Sequence, residues 1–158
     1  MYRKNYKMKN PDNKKEFNTS VIFDRSMIAP CGMNCGSCIG YMRPGNKCPG
    51  CWQDDEFKRK GCIKCVIKNC DLLEKTESKF CYECPEYPCR RLKQLDKRYK
   101  TKYHTSFLDN LMMIRDKGID YFLDFETKRR KCPNCGSTLS VHRDNCPDCM
   151  VILKYDGI

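Results

Sequence analysis

The sequence predicts a small α+β protein that is stabilised by bound metal and not by one large hydrophobic core. Fifteen of its 158 residues are cysteine, and nearly all of them stand in C-x2-C or C-x4-C spacings. The apolar 40% of the chain includes those cysteines, so conventional hydrophobic residues are sparse. Apolar residues at helical spacing recur between residues 88 and 131. A chain of this kind gains folding free energy from metal, about 10–16 kcal/mol for each structural zinc.

The cysteines are expected to bind metal and not to form disulfides. Their number is odd, so complete pairing would leave one thiol over. Residues 1–20 contain no apolar run of the kind that a secretory signal or a membrane span needs. In the reducing cytosol, closely spaced cysteines are more often metal ligands than structural bridges. The sequence therefore predicts a cytoplasmic, metal-binding protein without a membrane segment.

The chain divides into four parts by composition. Residues 1–20 are predicted to be a flexible basic tail, 21–90 a cysteine-rich metal-binding module with little regular structure, 91–131 a helical segment, and 132–158 a second metal module. The net charge of +11 suggests a nucleic-acid partner, but thiolate ligands would offset much of it. The basic residues are also dispersed, and the one tight run at 128–131 fits a solvated helix end.

The first module contains eleven cysteines, and an internal repeat relates six of them. The C-x2-C-x4-C spacing of Cys62, Cys65 and Cys70 recurs nineteen residues later in Cys81, Cys84 and Cys89. Two four-ligand sites have spacings typical of zinc. The first is Cys35 and Cys38 with Cys48 and Cys51, and the second is Cys62 and Cys65 with Cys81 and Cys84.

Three cysteines remain outside these two quartets, namely Cys31, Cys70 and Cys89. These three could form a third four-ligand site if His104 supplies the fourth ligand, which would be the twelfth ligand of the module. A lone histidine beside a helix is, however, more often a surface or capping residue. Alternatively, they hold an iron–sulfur cluster with one open iron. The C-x3-C-x2-C spacing that begins at Cys31 also occurs in radical S-adenosylmethionine enzymes, but this chain lacks the alternating strands and helices of their barrel.

The apolar spacing after the first module predicts two to three helices. Pro88 suits the first turn of a helix. Ser106 and Asp109 stand at capping-box spacing, which predicts that the next helix begins after Ser106. Gly118 is a natural stop for that helix, and a shorter one is expected to follow it. These helices are predicted to pack over the cysteine-rich module and to connect it to the C-terminal module.

The C-terminal module has the most regular cysteine pattern, C-x2-C-x10-C-x2-C, formed by Cys132, Cys135, Cys146 and Cys149. Two intervening residues let both sulfurs of a pair reach one ion, and four thiolates form the closed tetrahedral site of a structural Zn²⁺. The ten-residue insert between the pairs fits a short β-hairpin, with 151–153 as a third strand. The pattern resembles a zinc ribbon, and its rubredoxin-like knuckles would also accept iron. His142, inside the insert, is expected at the surface.

Four segments of the first module carry a family resemblance. IAPCGMNCGSCIGY, KCPGCW, GCIKCVIKNC and FCYECPEYPCRRLKQL occur in this order within residues 27–98. With their glycine and proline positions, they resemble the cysteine-rich family catalogued as domain of unknown function 3795. The helices and terminal ribbon resemble an extension found on some members. The resemblance implies a small metal-binding protein of bacteria or archaea, often anaerobes, and it transfers no catalytic residue.

Three functions fit the cysteine pattern. The first is a zinc-binding interaction module with an unknown protein partner, or alternatively with nucleic acid. The second is an iron–sulfur or redox protein with its cluster within residues 21–90, and the third is a metal chaperone or store. The chain has no phosphate loop, dinucleotide-binding turn or nucleophile elbow, which argues against a conventional enzyme. The aromatics Trp52, Tyr82 and Tyr87 are expected to pack against metal loops and not to stack on bases.

Overall fold

The structure is a computed structural model in which residues 4–7 and 20–155 are described. Up to residue 89 the helical elements are single turns. The α-helical turns are α1 (Ile39–Met42), α2 (Lys60–Ile63) and α3 (Asp71–Glu74), and the 3₁₀ turns are Arg25–Met27, Cys35–Ser37 and Cys81–Glu83. Isolated helices this short are unstable in water, so the module depends on tertiary contacts and on its cysteines. The sequence predicted this irregularity.

Three longer helices follow, α4 (Arg90–Tyr103), α5 (Phe107–Lys117) and α6 (Ile119–Arg129). The Ser106 hydroxyl accepts a hydrogen bond of 3.1 Å from the Asp109 amide, which confirms the predicted start of α5. Gly118, at φ +88°, separates α5 from α6, as predicted. The start of α4 differs from the prediction. Cys89 has an extended backbone (ψ 165°), so Pro88 lies before the helix instead of in its first turn.

The main core forms where α4, α5 and α6 cover the cysteine-rich module. Phe107, Leu111 and Phe122 are at most 1% exposed, and they belong to one cluster with Ile28 and Phe80 of the first module. Each such side chain contributes about 1.5–3 kcal/mol by leaving water. The predicted packing of the helices over the first module is therefore confirmed.

The contact between α5 and the first module is a close approach of backbones. Gly32 has φ +85°, and a Cβ there would lie 3.0 Å from both Leu111 Cγ and the Phe107 carbonyl oxygen. The Asn110 side-chain amide donates a 2.8 Å hydrogen bond to the Gly32 carbonyl. The glycine next to Cys31 thus lets α5 lie directly on the loop that carries the first cysteines.

The predicted hairpin of the C-terminal module is not confirmed. Strand β2 (Ile152–Tyr155) pairs antiparallel with β1 (Lys4–Lys7), with Lys4 opposite Tyr155 and Lys7 opposite Ile152. The insert at 136–145 forms no strand, because residues 137–141 are all buried, and a hairpin with one solvated face would alternate. Strand β1 lies within the expected flexible tail, and the other residues of that tail up to 19 lie outside the described part of the chain.

The insert bonds to earlier parts of the chain instead. The Val141 amide donates to the Ser37 carbonyl at 2.8 Å, and the Leu139 amide donates to the Arg130 carbonyl at 2.6 Å. The C-terminal module is therefore joined to the first module and to the end of α6. Within the described residues, no helix has the length and apolar character needed to cross a membrane.

Candidate metal centres

The four cysteines of the C-terminal module converge on one point. Their sulfur atoms all lie within 4.8 Å of one another. Sγ of Cys132 is 3.7 Å from Sγ of Cys149, and Sγ of Cys135 is 3.6 Å from Sγ of Cys146. A zinc ion bound to four thiolates at about 2.3 Å requires sulfur atoms about 3.8 Å apart. The quartet could therefore bind one tetrahedral metal ion.

The two halves of this quartet have the same local geometry. The Gly136 amide donates to the Cys132 carbonyl at 3.0 Å, and the Met150 amide donates to the Cys146 carbonyl at 3.2 Å. Both residues follow the second cysteine of their pair, with φ of +80° at Gly136 and +58° at Met150. These left-handed turns bring both sulfurs of each pair to the same side of the chain.

Backbone amides point at the sulfur atoms of both pairs. Cys132 accepts from the amides of residues 134 and 135, and Cys146 accepts from those of residues 148 and 149. Burial nevertheless raises the pKa of Cys132 and of Cys146, since it disfavours a thiolate. At Cys135 burial also raises the pKa, but hydrogen bonds with Ser137 and the neighbouring thiols outweigh it and lower the pKa to about 7. A bound cation would favour the thiolate at all four positions.

His142 was predicted at the surface, and the structure shows that this prediction is wrong. Its Nδ1 accepts a 3.4 Å hydrogen bond from the Ile39 amide, and its Nε2 lies 3.0 Å from the Tyr99 hydroxyl. The ring also meets the edge of Tyr103, with centroids 4.8 Å apart. Burial lowers the pKa of His142 to about 4, so the imidazole is neutral at pH 7 and its Nε2–H donates to Tyr99. His142 thus fastens the insert to α1 and α4.

His104, the second histidine, lies at the C-terminal end of α4. It is exposed and has φ +51°, and its backbone amide bonds to the Tyr99 carbonyl. Among the described residues, no group of metal-ligating atoms within 4.8 Å of one another includes His104. Its role as a twelfth ligand stays a prediction.

The eleven cysteines of the first module are arranged more loosely than the C-terminal four. Among the described residues, none of them belongs to a group of three or more ligand atoms that all lie within 4.8 Å. They are nevertheless close enough for their charges to interact. Burial, followed by the charges of Cys51, Cys38 and Cys48, raises the pKa of Cys35 to about 12. Cys35 therefore lies near the other three members of the first predicted quartet.

The members of the second predicted quartet interact with thiols both inside and outside that quartet. For Cys62, the thiol charges that raise its pKa most, after burial, are those of Cys48 and Cys38. For Cys81, burial and then the charges of Cys89, Cys84 and Cys70 raise the pKa to about 12. The charge of Cys65 also raises the pKa of both Cys62 and Cys81, so the two repeat units interact with each other as well.

Backbone amides also bond to sulfur atoms in the first module. The Met33 amide donates to Cys31, the Cys51 amide donates to Cys35, and the amides of residues 40 and 41 donate to Cys38. Hydrogen bonds of this kind stabilise thiolates, which is the form that binds metal. Cys38 thus shares the donor pattern of Cys132 and Cys146, in which the amides two and three residues further along the chain donate to the sulfur.

The aromatic residues near these cysteines have structural contacts. The Trp52 indole N–H donates a 2.8 Å hydrogen bond to the Ile28 carbonyl. Tyr82 stacks on Phe80 with ring centroids 5.7 Å apart and an interplanar angle of 18°. These contacts support the predicted packing role of Trp52 and Tyr82, because both side chains are already engaged within the fold.

Comparisons with known protein families, with curated proteins and with solved structures each found no match to this chain. The resemblance of residues 27–98 to a cysteine-rich family therefore stays a prediction. The case for a metal centre depends on the geometry of the sulfur atoms described above.

Proposed function

We propose that this protein is a metal-binding protein in which Cys132, Cys135, Cys146 and Cys149 hold one structural zinc ion. The spacing of their sulfur atoms at 3.6–3.7 Å carries the proposal, because it matches the edge of a tetrathiolate zinc site. Four thiolates around zinc leave no coordination position for a substrate or for an activated water. The site accordingly serves the fold, and the protein acts by binding a partner and not by catalysis at this ion.

The surroundings of the quartet support a structural role. The hydrophobic cluster around the quartet contains five buried residues, namely Cys132, Leu139, Cys146, Val151 and Leu153. Two of the five are proposed ligands, so the apolar contribution alone is small. An ion would join the end of α6 to the segment that leads into β2, and the strand pairing with β1 would follow from that connection.

Metal counting tests this function. Protein purified without oxygen is expected to contain a zinc ion that the Cys149→Ala variant loses. The Arg143→Ala variant is the matched control, since Arg143 is an exposed residue of the same module. Elemental analysis by mass spectrometry gives both values. An unchanged zinc content in Cys149→Ala would contradict the proposal.

A second candidate function, binding of nucleic acid, is favoured by the charge of α4. The helix carries seven exposed cations, namely Arg90, Arg91, Lys93, Lys97, Arg98, Lys100 and Lys102. Its one acidic residue, Asp96, is 7% exposed, and it accepts hydrogen bonds from Ser106 and from the Leu108 amide. The solvent face of α4 is therefore positive along its length, as a phosphate-binding surface requires.

Salt dependence tests this second candidate. If α4 binds single-stranded RNA, replacing Lys93, Lys97 and Lys100 by alanine removes three cations that can neutralise phosphates. The slope of log K against log salt is then expected to fall by about 0.7 for each phosphate that is no longer neutralised. Fluorescence anisotropy with a labelled oligonucleotide measures both the affinity and the slope.

The matched control replaces three exposed lysines outside α4, namely Lys117, Lys128 and Lys131. It has the same net charge as the α4 variant, so it separates a local effect from a general charge effect. Equal reductions of the slope in the two variants would reject α4 as the binding surface. Binding that is absent, or indifferent to salt, would favour a protein partner.

A further inference from the structure

A cavity of about 570 Å³ opens where α4 begins, and four cysteines line it. They are Cys70, Cys81, Cys84 and Cys89. Cys70 directly precedes α3, Cys81 begins a 3₁₀ turn, and Cys89 directly precedes α4. Three separate turns of the chain thus bring these thiols to one space. Two of them, Cys70 and Cys89, belong to neither of the quartets predicted from sequence spacing.

These four thiols are neighbours, but they are not as close together as a single ion requires. All four line the same cavity, and the Cys84 amide donates a 3.1 Å hydrogen bond to the Cys81 carbonyl. Yet the four do not form a group whose sulfur atoms all lie within 4.8 Å, as the C-terminal quartet does. The same chain therefore contains one quartet at the spacing of a mononuclear site and a second quartet around a larger space.

The size of that space favours a polynuclear centre. A water molecule accounts for about 30 Å³ of liquid, so a cavity of about 570 Å³ is far larger than one ion needs. In an iron–sulfur cluster, inorganic sulfide and several irons separate the cysteine ligands. Ligands of a cluster are therefore farther apart than the ligands of one zinc ion.

The lining of the cavity suits an anionic, thiolate-ligated cluster. Three cations line it, Arg90, Arg91 and Lys75, against two carboxylates, Asp71 and Glu86, so the charged lining is net positive. Arg90 and Arg91 lie in the first turn of α4. The positive end of the dipole of this 14-residue helix adds to their charge. Ile67, Leu73 and Leu92 also line the cavity, and each of them is at most 7% exposed. Apolar walls limit the access of solvent to a cluster and so tune its reduction potential.

We propose that Cys70, Cys81, Cys84 and Cys89 are the four ligands of one iron–sulfur cluster seated in this cavity. The proposal extends the metal-binding function inferred above, and it does not require the C-terminal zinc site. The C-x10-C-x2-C-x4-C spacing of these residues differs from the bacterial ferredoxin run C-x2-C-x2-C-x3-C-P. The folded chain, and not a short contiguous motif, therefore assembles the site.

The first experiment uses the full chain, purified without oxygen and reconstituted with ferrous iron and sulfide. We expect iron and acid-labile sulfide in equal amounts, together with visible charge-transfer absorption. Zinc is measured in the same samples. Absence of labile sulfide and of visible absorption after reconstitution would overturn the cluster. Because zinc at the C-terminal quartet is counted separately, either proposal can fail while the other holds.

Variants test the choice of ligands. Cys84→Ala is expected to lose the iron and sulfide of this site and to keep the C-terminal zinc. Cys62→Ala distinguishes the proposal from the pairing predicted from sequence, in which Cys62 and Cys84 share one site. If they share a site, the variant that combines Cys62→Ala and Cys84→Ala loses no more metal than either single variant. In the cluster proposal any loss caused by Cys62→Ala adds to that of Cys84→Ala.

Circular dichroism of the helices accompanies each variant. If Cys84→Ala does not fold, Cys70→Ala provides the same test. A folded Cys70→Ala or Cys84→Ala variant that retains the full iron and sulfide content would overturn the ligand assignment.

Discussion

Replacing Cys146 by serine is expected to unfold the C-terminal segment and to release its ion. Cys146 is completely buried, and its sulfur lies 3.6 Å from that of Cys135. A structural zinc contributes about 10–16 kcal/mol to the folding of small zinc modules. That value is comparable to the whole stability of a typical domain, about 5–15 kcal/mol. We therefore expect loss of order after residue 130, measured as new cleavage there in limited proteolysis.

Arg143→Ser is the control for this prediction, because it places a serine in the same module at an exposed position. It is expected to retain both the zinc and the wild-type cleavage pattern. Chelation of zinc from the wild-type protein should reproduce the Cys146→Ser pattern. A Cys146→Ser protein with wild-type protease resistance would show that the quartet does not hold this segment through metal.

Replacing Glu126 by glutamine is expected to lower the free energy of unfolding by about 3–5 kcal/mol. Glu126 is 1% exposed, and it pairs with Arg129 and with Arg130, whose Nε lies 3.6 Å away. It also accepts a 3.0 Å hydrogen bond from the Asn34 side chain. Removing this carboxylate takes a buried negative charge away from Arg130, which is itself 4% exposed.

The same substitution is expected to disturb the first module, although Glu126 lies in α6. The Asn34 side-chain oxygen accepts a 3.0 Å hydrogen bond from the Gly36 amide, next to Cys35. Glu126 orients Asn34 through its amide, so it also supports the turn that presents Cys35. A change in metal content of Glu126→Gln would indicate this coupling.

Asp124→Asn is the matched control on the same helix. Asp124 pairs with Lys128 at 2.6 Å, but the two side chains are 61% and 75% exposed. Exposed pairs of this kind contribute about 0.3–0.5 kcal/mol. Urea denaturation of both variants measures the difference. Similar losses of stability in Glu126→Gln and Asp124→Asn would contradict the structural role of the buried carboxylate.

The effect of Glu126 has a defined pH dependence. Burial opposes its ionisation, but the charges of Arg130 and Arg129 and the Asn34 hydrogen bond hold its pKa below the usual 4.5. The folded state therefore binds this proton less readily than the unfolded chain does. Its contribution to stability is complete above pH 4.5 and is lost as the pH falls through the folded pKa. The difference between wild type and Glu126→Gln should shrink in that range.

Local signals in the sequence predicted the local structure. Ser106 and Asp109 predicted the start of α5, and Gly118 predicted its end, because these signals involve residues within one turn. The C-x2-C spacing of Cys132 with Cys135, and of Cys146 with Cys149, is a local signal in the same sense. Two intervening residues bring both sulfurs of a pair to one side of the chain, whatever surrounds them.

Contacts between distant segments were not predictable in this way. The hairpin expected in the 136–145 insert is not confirmed, since Leu139 and Val141 bond to Arg130 and Ser37 instead of to a partner strand. His142 was expected in solvent, but it contacts Tyr99 and Tyr103. Each of these outcomes depends on which distant surface is available, and the spacing of residues along the chain does not encode that surface.

The sequence by itself predicted that Cys132, Cys135, Cys146 and Cys149 form one group that could hold a metal ion, and that the first module is rich in thiols. Only the tertiary structure showed which of the other eleven cysteines line one cavity. Cys70 and Cys89 line the same cavity as Cys81 and Cys84, because α3 and α4 begin beside it. The physical reason is that the geometry of four consecutive residues brings the two sulfurs of a C-x2-C pair together. Which other cysteines lie beside that pair depends on how distant segments pack.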